Sequence, residues 1–143
     1  MTIRELSAAE TGLAFAAMAA LRTHLTDEAE FVRRVDERQR PQGYRLVATV
    51  EDDGTVGAVA GFRVLEMLAF GRVLYVDDLS TLPVARRRGH GRALLDWCAA
   101  EAQRAGCDAL HLDSGVGPDR RDAHRLYFNA GMRISSHHFA REL

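Results

Sequence analysis

The chain has 143 residues, with 19 basic against 20 acidic side chains, and every one of the basic residues is arginine. That length suits one domain with a real core, and 47% apolar with 27% charged residues is globular composition. A net charge of −1 leaves no basic excess for general nucleic-acid or membrane-surface binding. Without lysine there is no Schiff-base chemistry and no phosphate loop ending in Gly-Lys-Ser/Thr. Any phosphate must be met by arginine or by backbone N–H groups.

Thr2–Leu6 alternates weakly, as an opening strand would. Ser7 and Glu10 have capping-box spacing, and the alanine-rich stretch with Leu13, Met18 and Leu21 predicts a helix to about His24. Thr26-Asp27 caps a second, charged helix with Phe31, Val32 and Val35 on its apolar stripe, ending before Pro41. The period then changes to two. Tyr44–Val50, Thr55–Leu65 and Val73–Leu82 read as three strands joined by short turns, an antiparallel meander. Gly57 and Gly61 in the middle strand suit close approach by another element. Pro83 stops the third strand, and a helix follows with Leu94, Leu95, Cys98, Ala102 and Ala105 on one face. Cys107–Asp113 alternates as a strand. Pro118 opens a last helix running to Ala130, and Met132–Leu143 predicts one longish strand or two short ones. The expectation is a single domain over residues 1–143, of α/β (α+β) class, with a mixed, mostly antiparallel sheet and helices packed on it.

The densest chemical signal is Arg86-Arg87-Arg88-Gly89-His90-Gly91-Arg92-Ala93, lying between strand and helix. The first N–H groups of a helix have no partner inside it and the macrodipole adds positive potential there, while glycines let the backbone wrap a phosphate. Arginines add charge and bidentate geometry. Within this loop His90 is read as contributing backbone more than ring.

Two segments here resemble the GCN5-related N-acetyltransferase (GNAT) superfamily. Arg86-x-x-Gly89-x-Gly91 is similar to the family's acetyl-CoA loop, and Leu79-Ser-Thr-Leu-Pro83 to its usual lead-in. Ala123-His-Arg-Leu126-Tyr127-Phe-Asn-Ala-Gly131-Met132 resembles its second signature. Arg87 stands where the family often has glycine, and Met132 where it has phenylalanine. The resemblance implies helices on both sheet faces, a bulged fourth strand splayed from the fifth, and acetyl-CoA as cosubstrate. Coenzyme contacts are then expected from Leu79, Ser80, Thr81 and residues Arg86, Arg87, Arg88, Gly89, His90, Gly91, Arg92 and Ala93.

Acetyl transfer from a thioester to an amine needs a neutral amine, a polarised carbonyl and a protonated leaving thiolate. The resemblance places Tyr127 near the coenzyme sulfur as the acid. Asp77-Asp78 lies inside an apolar strand, where alternation predicts that one carboxylate faces the acceptor and the other a neighbouring helix or loop. By resemblance to polyamine acetyltransferases of the family, Asp77 is the base, acting directly or through water. Asp113 and Ser114 are an acceptor-binding edge or an ordinary strand-to-helix turn. Cys98 and Cys107, without metal spacing, read as reduced thiols filling core, and the histidines have no third ligand for zinc. His24 and His124 read as helix-surface residues and His111 as a strand-face one.

The leading expectation is therefore a cytoplasmic acetyl-CoA-dependent N-acetyltransferase acting on a small-molecule or peptide amine, without a signal peptide, nucleic acid or membrane partner. The alternative is an acyl-CoA-binding sensor of the same fold without turnover. No apolar interface declares an oligomeric state, so a homodimer stays open.

Overall fold

Five strands form one sheet in chain order: β1 (Thr2–Leu6), β2 (Arg45–Val50), β3 (Val56–Met67), β4 (Gly71–Thr81) and β5 (Ala109–Leu112). A computed structural model describes all of residues 1–143. The chain divides into two compact units, Met1–Leu112 and Asp113–Leu143. Neighbouring strands are antiparallel except β4 and β5, which are parallel and are joined by the helical crossover that parallel neighbours need.

Successive residues of β2 separate the core of the first unit into two layers. Leu46 and Ala48 face α1 (Phe15–Leu21) and α2 (Glu28–Arg34), packing with Met18, Phe31 and Val59. Val47 faces the other way, with Phe62, Leu74 and Val76, against Leu94, Cys98 and Ala102 of α3 (His90–Arg104). Helices therefore cover both faces of the sheet. Phe62, Leu74 and Leu94 are wholly buried, each worth about 1.5–3 kcal/mol of transfer free energy.

Three segments depart from the sequence reading. The first expected helix begins as a 3-10 helix over Ala8–Ala14 and becomes α-helical only at Phe15. The Glu10 carboxylate does reach back to the Ser7 N–H at 3.0 Å, so the start is as predicted. The helix stops at Leu21, short of His24, because Arg22 leaves helical geometry (φ −104°, ψ 80°). In the second helix, α2 loosens into a π-turn at Val35–Gln39 and a 3-10 turn at Arg40–Gln42 ahead of Gly43. Last, residues 132–143 form no strand, and Ile134 and Phe139 are 72% and 90% exposed. The polar run Ser135-Ser136-His137-His138 breaks the alternation that would give this segment an apolar face.

Two register shifts interrupt the antiparallel ladders. Between β3 and β4 the pairing passes from Gly61↔Asp78 to Phe62↔Val76, leaving Asp77 as the extra residue of a bulge. Between β2 and β3 it passes from Thr49↔Ala58 to Val50↔Val56, leaving Gly57 extra. β5 pairs only with Val73–Val76 of β4. Beyond Val76 the edge of β4 that faces away from β3 has no strand beside it, which is the splay implied by the resemblance.

Gly61 is required by close approach, since a Cβ there would overlap the Tyr44 hydroxyl. Gly61→Ala is expected to lower stability by about 1–3 kcal/mol through overpacking. Gly12→Ala, whose one close approach is to the flexible Glu28 carboxylate and which otherwise makes ordinary contact with Val32, should stay within about 0.5 kcal/mol. Urea unfolding midpoints at unchanged m-value check the contrast.

Candidate active site

At the end of β4 the chain makes a 3-10 turn over Pro83–Ala85, and Arg86 is extended (φ −63°, ψ 154°). Arg87 then adopts φ 61° and Gly89 φ 86° before α3 begins at His90. A left-handed residue with a Cβ costs about 1–2 kcal/mol, so Arg87 holds a strained conformation in this loop. No side chain caps α3, and its first helical bond runs from the Ala93 N–H to Gly89 O at 3.0 Å. The N–H groups of His90 and Gly91 thus have no acceptor within the helix. Ala93, counted from sequence among the phosphate-binding residues, has its N–H already engaged.

Arg86 and Arg87 are exposed and make no ion pair. Arg88 approaches Glu51 Oε1 at 3.2 Å, and Arg92 holds Asp96 at 2.9 Å one turn along α3. The His90 ring, expected to matter little, is 2% exposed, with Nδ1 2.8 Å from Thr49 Oγ1 and Nε2 3.1 Å from Glu51 Oε1. Sequence reading missed this because both partners lie at the end of β2, far along the chain.

The bulge changes the expected placement of the two aspartates. Alternation would send them to opposite faces; instead both carboxylates enter one polar network on the α1/α2 side of the sheet. Arg63 holds Asp77 with both Nε (3.1 Å to each oxygen) and an NH2 group at 2.6 Å. The same guanidinium lies 5.4 Å from the centre of the Tyr44 ring and donates to Gln39 Oε1 at 2.9 Å. Asp78 accepts from Arg22 Nε at 2.9 Å and from the Tyr44 hydroxyl at 2.8 Å. A second Arg22 nitrogen donates to the Asp77 carbonyl at 3.1 Å. Arg22, Tyr44 and Arg63 were not singled out from sequence. The one signal for Tyr44 was Gly61, whose missing side chain makes room for it.

Burial raises the Asp77 carboxyl above its ordinary range, partly offset by the charge and hydrogen bonds of Arg63. Burial, and then the neighbouring Asp78 charge, holds the Tyr44 phenol well above its usual value. Further along β4, Leu79 packs towards α3, and the buried Ser80 hydroxyl donates to Ala17 O at 2.6 Å. Ser80 is left with only its backbone for a ligand, while Thr81 is half-buried. Burial pushes the Cys98 thiol up to about 12, so it is no nucleophile and fills core as expected. His111 of β5 packs its ring against Phe70, 4.6 Å between centres.

In the second unit a 3-10 turn at Pro118–Arg120 leads into α4 (Arg121–Asn129), which carries Tyr127. The N–H groups of Ala130 and Met132 both close on Tyr127 O, at 3.1 and 3.0 Å, ending the helix. Burial raises the Tyr127 hydroxyl's pKa, and Arg120 draws it back down. β5 ends at Leu112, so Asp113 and Ser114 stand past the strand. Ser114 Oγ lies 3.1 Å and Gly115 O 2.8 Å from His124 Nε2, so His124, read as a helix-surface residue, ties down this turn. Asp113 Oδ2 is 3.6 Å from His138 Nδ1.

Residues 10–132 match the Acetyltransferase (GNAT) family. The chain is 32% identical over 123 residues to the uncharacterized N-acetyltransferase YhdJ of Bacillus subtilis, covering 85% of this chain and 84% of that one. It is 35% identical over 68 residues to the aminoalkylphosphonate N-acetyltransferase of Salmonella typhimurium, covering 48% and 43% of the two chains. In fold it is similar to the ribosomal-protein-alanine N-acetyltransferase of Brucella melitensis, with TM-score 0.85, 17% identity and full coverage of both chains.

Arg63 is the nearest cation to the Asp77 carboxyl, and removing it takes away what favours the charged form. Arg63→Gln should therefore move the Asp77 carboxyl titration, followed by carbon NMR, to still higher pH. An unchanged titration would show that the pair carries no electrostatic coupling.

Proposed function

The chain belongs to the GNAT acetyltransferase family, and from that premise we propose that it moves an acetyl group from acetyl-CoA to a primary amine by direct attack in a ternary complex. The observation that carries the coenzyme half is the uncapped start of α3 behind Gly89, flanked by the unpaired Arg86 and Arg87. Two free helix-terminal N–H groups and two exposed guanidinium groups suit a diphosphate and leave no use for the lysine this chain lacks. Acetyl-CoA supplies the thioester. The backbone of Leu79–Thr81, on the open edge of β4, is suited to pair with the pantetheine amides, and an N–H there to polarise the thioester carbonyl.

Asp77 is the better base of the acidic pair. Asp78 already accepts from Arg22 and Tyr44, whereas the Asp77 carboxylate is held by Arg63 alone, and its raised pKa makes it a more basic proton acceptor than an ordinary carboxylate. It takes the amine proton directly or through water. As the nitrogen bonds to the acetyl carbon the carbon–sulfur bond breaks, and the Tyr127 hydroxyl returns a proton to sulfur. Of the acceptor-edge pair, Asp113 is favoured over Ser114, whose hydroxyl is engaged with His124.

The charge balance bears on the acceptor. Each aspartate is paired with an arginine, so the cluster is no bare anionic trap for a polycation. It suits an amine that carries an anionic group of its own, and an aminoalkylphosphonate is one such molecule.

Thiol release from acetyl-CoA with a panel of amines tests the reading. Tyr127→Phe should lower kcat by about a hundredfold while coenzyme A affinity stays within about twofold. Coenzyme binding without thiol release for every amine would instead favour the sensor, and absence of both would overturn the reading.

A further inference from the structure

The loop arginines and glycines account for charge and clearance, but not for what fixes the first turn of α3 in place. With no capping side chain, that turn lacks the usual tie at a helix start. His90 provides one in the opposite direction, downward into the sheet. Its ring sits where β3 has its extra residue: a Cβ on Gly57 would lie 2.7 Å from His90 Cε1, so only glycine leaves the hole open. Within that hole Nδ1 meets Thr49 Oγ1 at 2.8 Å, and Thr49 is wholly buried. The same hydroxyl reaches Ala58 O at 3.4 Å, which links the ring to both strands beside the bulge. On the far side, Glu51 Oε1 is a buried oxygen with no properly angled hydrogen bond, though His90 Nε2 and Arg88 stand 3.1 and 3.2 Å away. The Leu82 N–H donates to Gly57 O at 2.9 Å, so the strand end that feeds the loop is anchored at the same residue.

We propose that His90, through Thr49 and the glycine bulge at Gly57, is the positioning residue of the coenzyme loop: it holds the first turn of α3 so that its N–H groups meet the pyrophosphate without rearrangement. This rests on the coenzyme half of the proposed function. His90 touches no reacting atom. Its effect is on coenzyme binding, because preorganised donors bind an anion without the cost of ordering a free turn.

The test compares Thr49→Val, which keeps the shape and removes the hydroxyl, with Thr49→Ser, which keeps the hydroxyl and removes a methyl. Coenzyme A affinity is measured by calorimetry, acetyl-CoA KM and kcat by thiol release, and stability by thermal unfolding. Thr49→Val should raise Kd and KM for the coenzyme by about fivefold, the equivalent of one hydrogen bond, with kcat at saturating acetyl-CoA within about twofold. Thr49→Ser should bind like the parent although the lost buried methyl lowers its stability. Affinity then follows the hydroxyl and not the stability, which a merely structural role would not produce. If either variant fails to fold, His90→Asn, which keeps a polar atom near the Nδ1 position, and His90→Leu put the same question. Equal coenzyme affinity across a pair, or affinity that simply follows stability, overturns the proposal. A parent protein with no affinity for coenzyme A overturns the coenzyme reading itself, and the positioning role with it.

Discussion

A helix that starts without a capping side chain leaves its first N–H groups unmet, and a protein keeps such an end only where something else meets them. In this chain that end is the start of α3, and much of the architecture serves to put it in place. β4 delivers the chain to it, Pro83 turns the chain out of the sheet, and Gly89 takes the left-handed conformation from which the helix can begin. The strain at Arg87 has the same origin. A loop free to relax would not hold a side-chain-bearing residue at φ 61°.

Two bulges do the rest, each by adding one residue to one strand. The bulge at Gly57 opens the hole that receives the His90 ring at the start of α3. The bulge at Asp77 turns two consecutive carboxylates into one network with Arg22, Tyr44 and Arg63. Leu74 and Val76 face α3, so an unbroken ladder would have turned Asp78 into that apolar layer, where an unpaired carboxylate is costly to bury. Since β5 accompanies β4 only as far as Val76, the backbone beyond the bulge is open along one edge. Polar chemistry and free backbone thus meet on the same stretch of β4.

How much of this was legible in the residues depends on how local the cause was. The meander from Tyr44 to Leu82 was readable because period-two alternation is a property of neighbouring residues, and the buried face of α3 because its spacing is equally local. The loop was readable from glycine and arginine between a strand and a helix. The aspartates were misplaced because alternation assumes an unbroken ladder, and the bulge lies in the pairing with β3, which the local pattern of β4 does not carry. His90 was misjudged because its partners, Thr49 of β2 and Glu51 just past it, are distant in sequence. Arg22 and Arg63 were hidden by composition: with all 19 basic side chains arginine, none stands out before its partner is known. The expectation of strand at residues 132–143 failed for a different reason. Met132 and Ile134 begin an alternation that the next serines and histidines do not continue.

The most direct measurement is a coenzyme A titration followed by backbone amide NMR of the intact chain. If the start of α3 is the pyrophosphate site, the amide protons of His90 and Gly91 move downfield on binding, more than those of any residue in α1 or α2. Omitting the pyrophosphate by titrating with pantetheine alone should leave them in place. Coenzyme A binding that leaves the amides of His90 and Gly91 where they were would contradict the account at its centre.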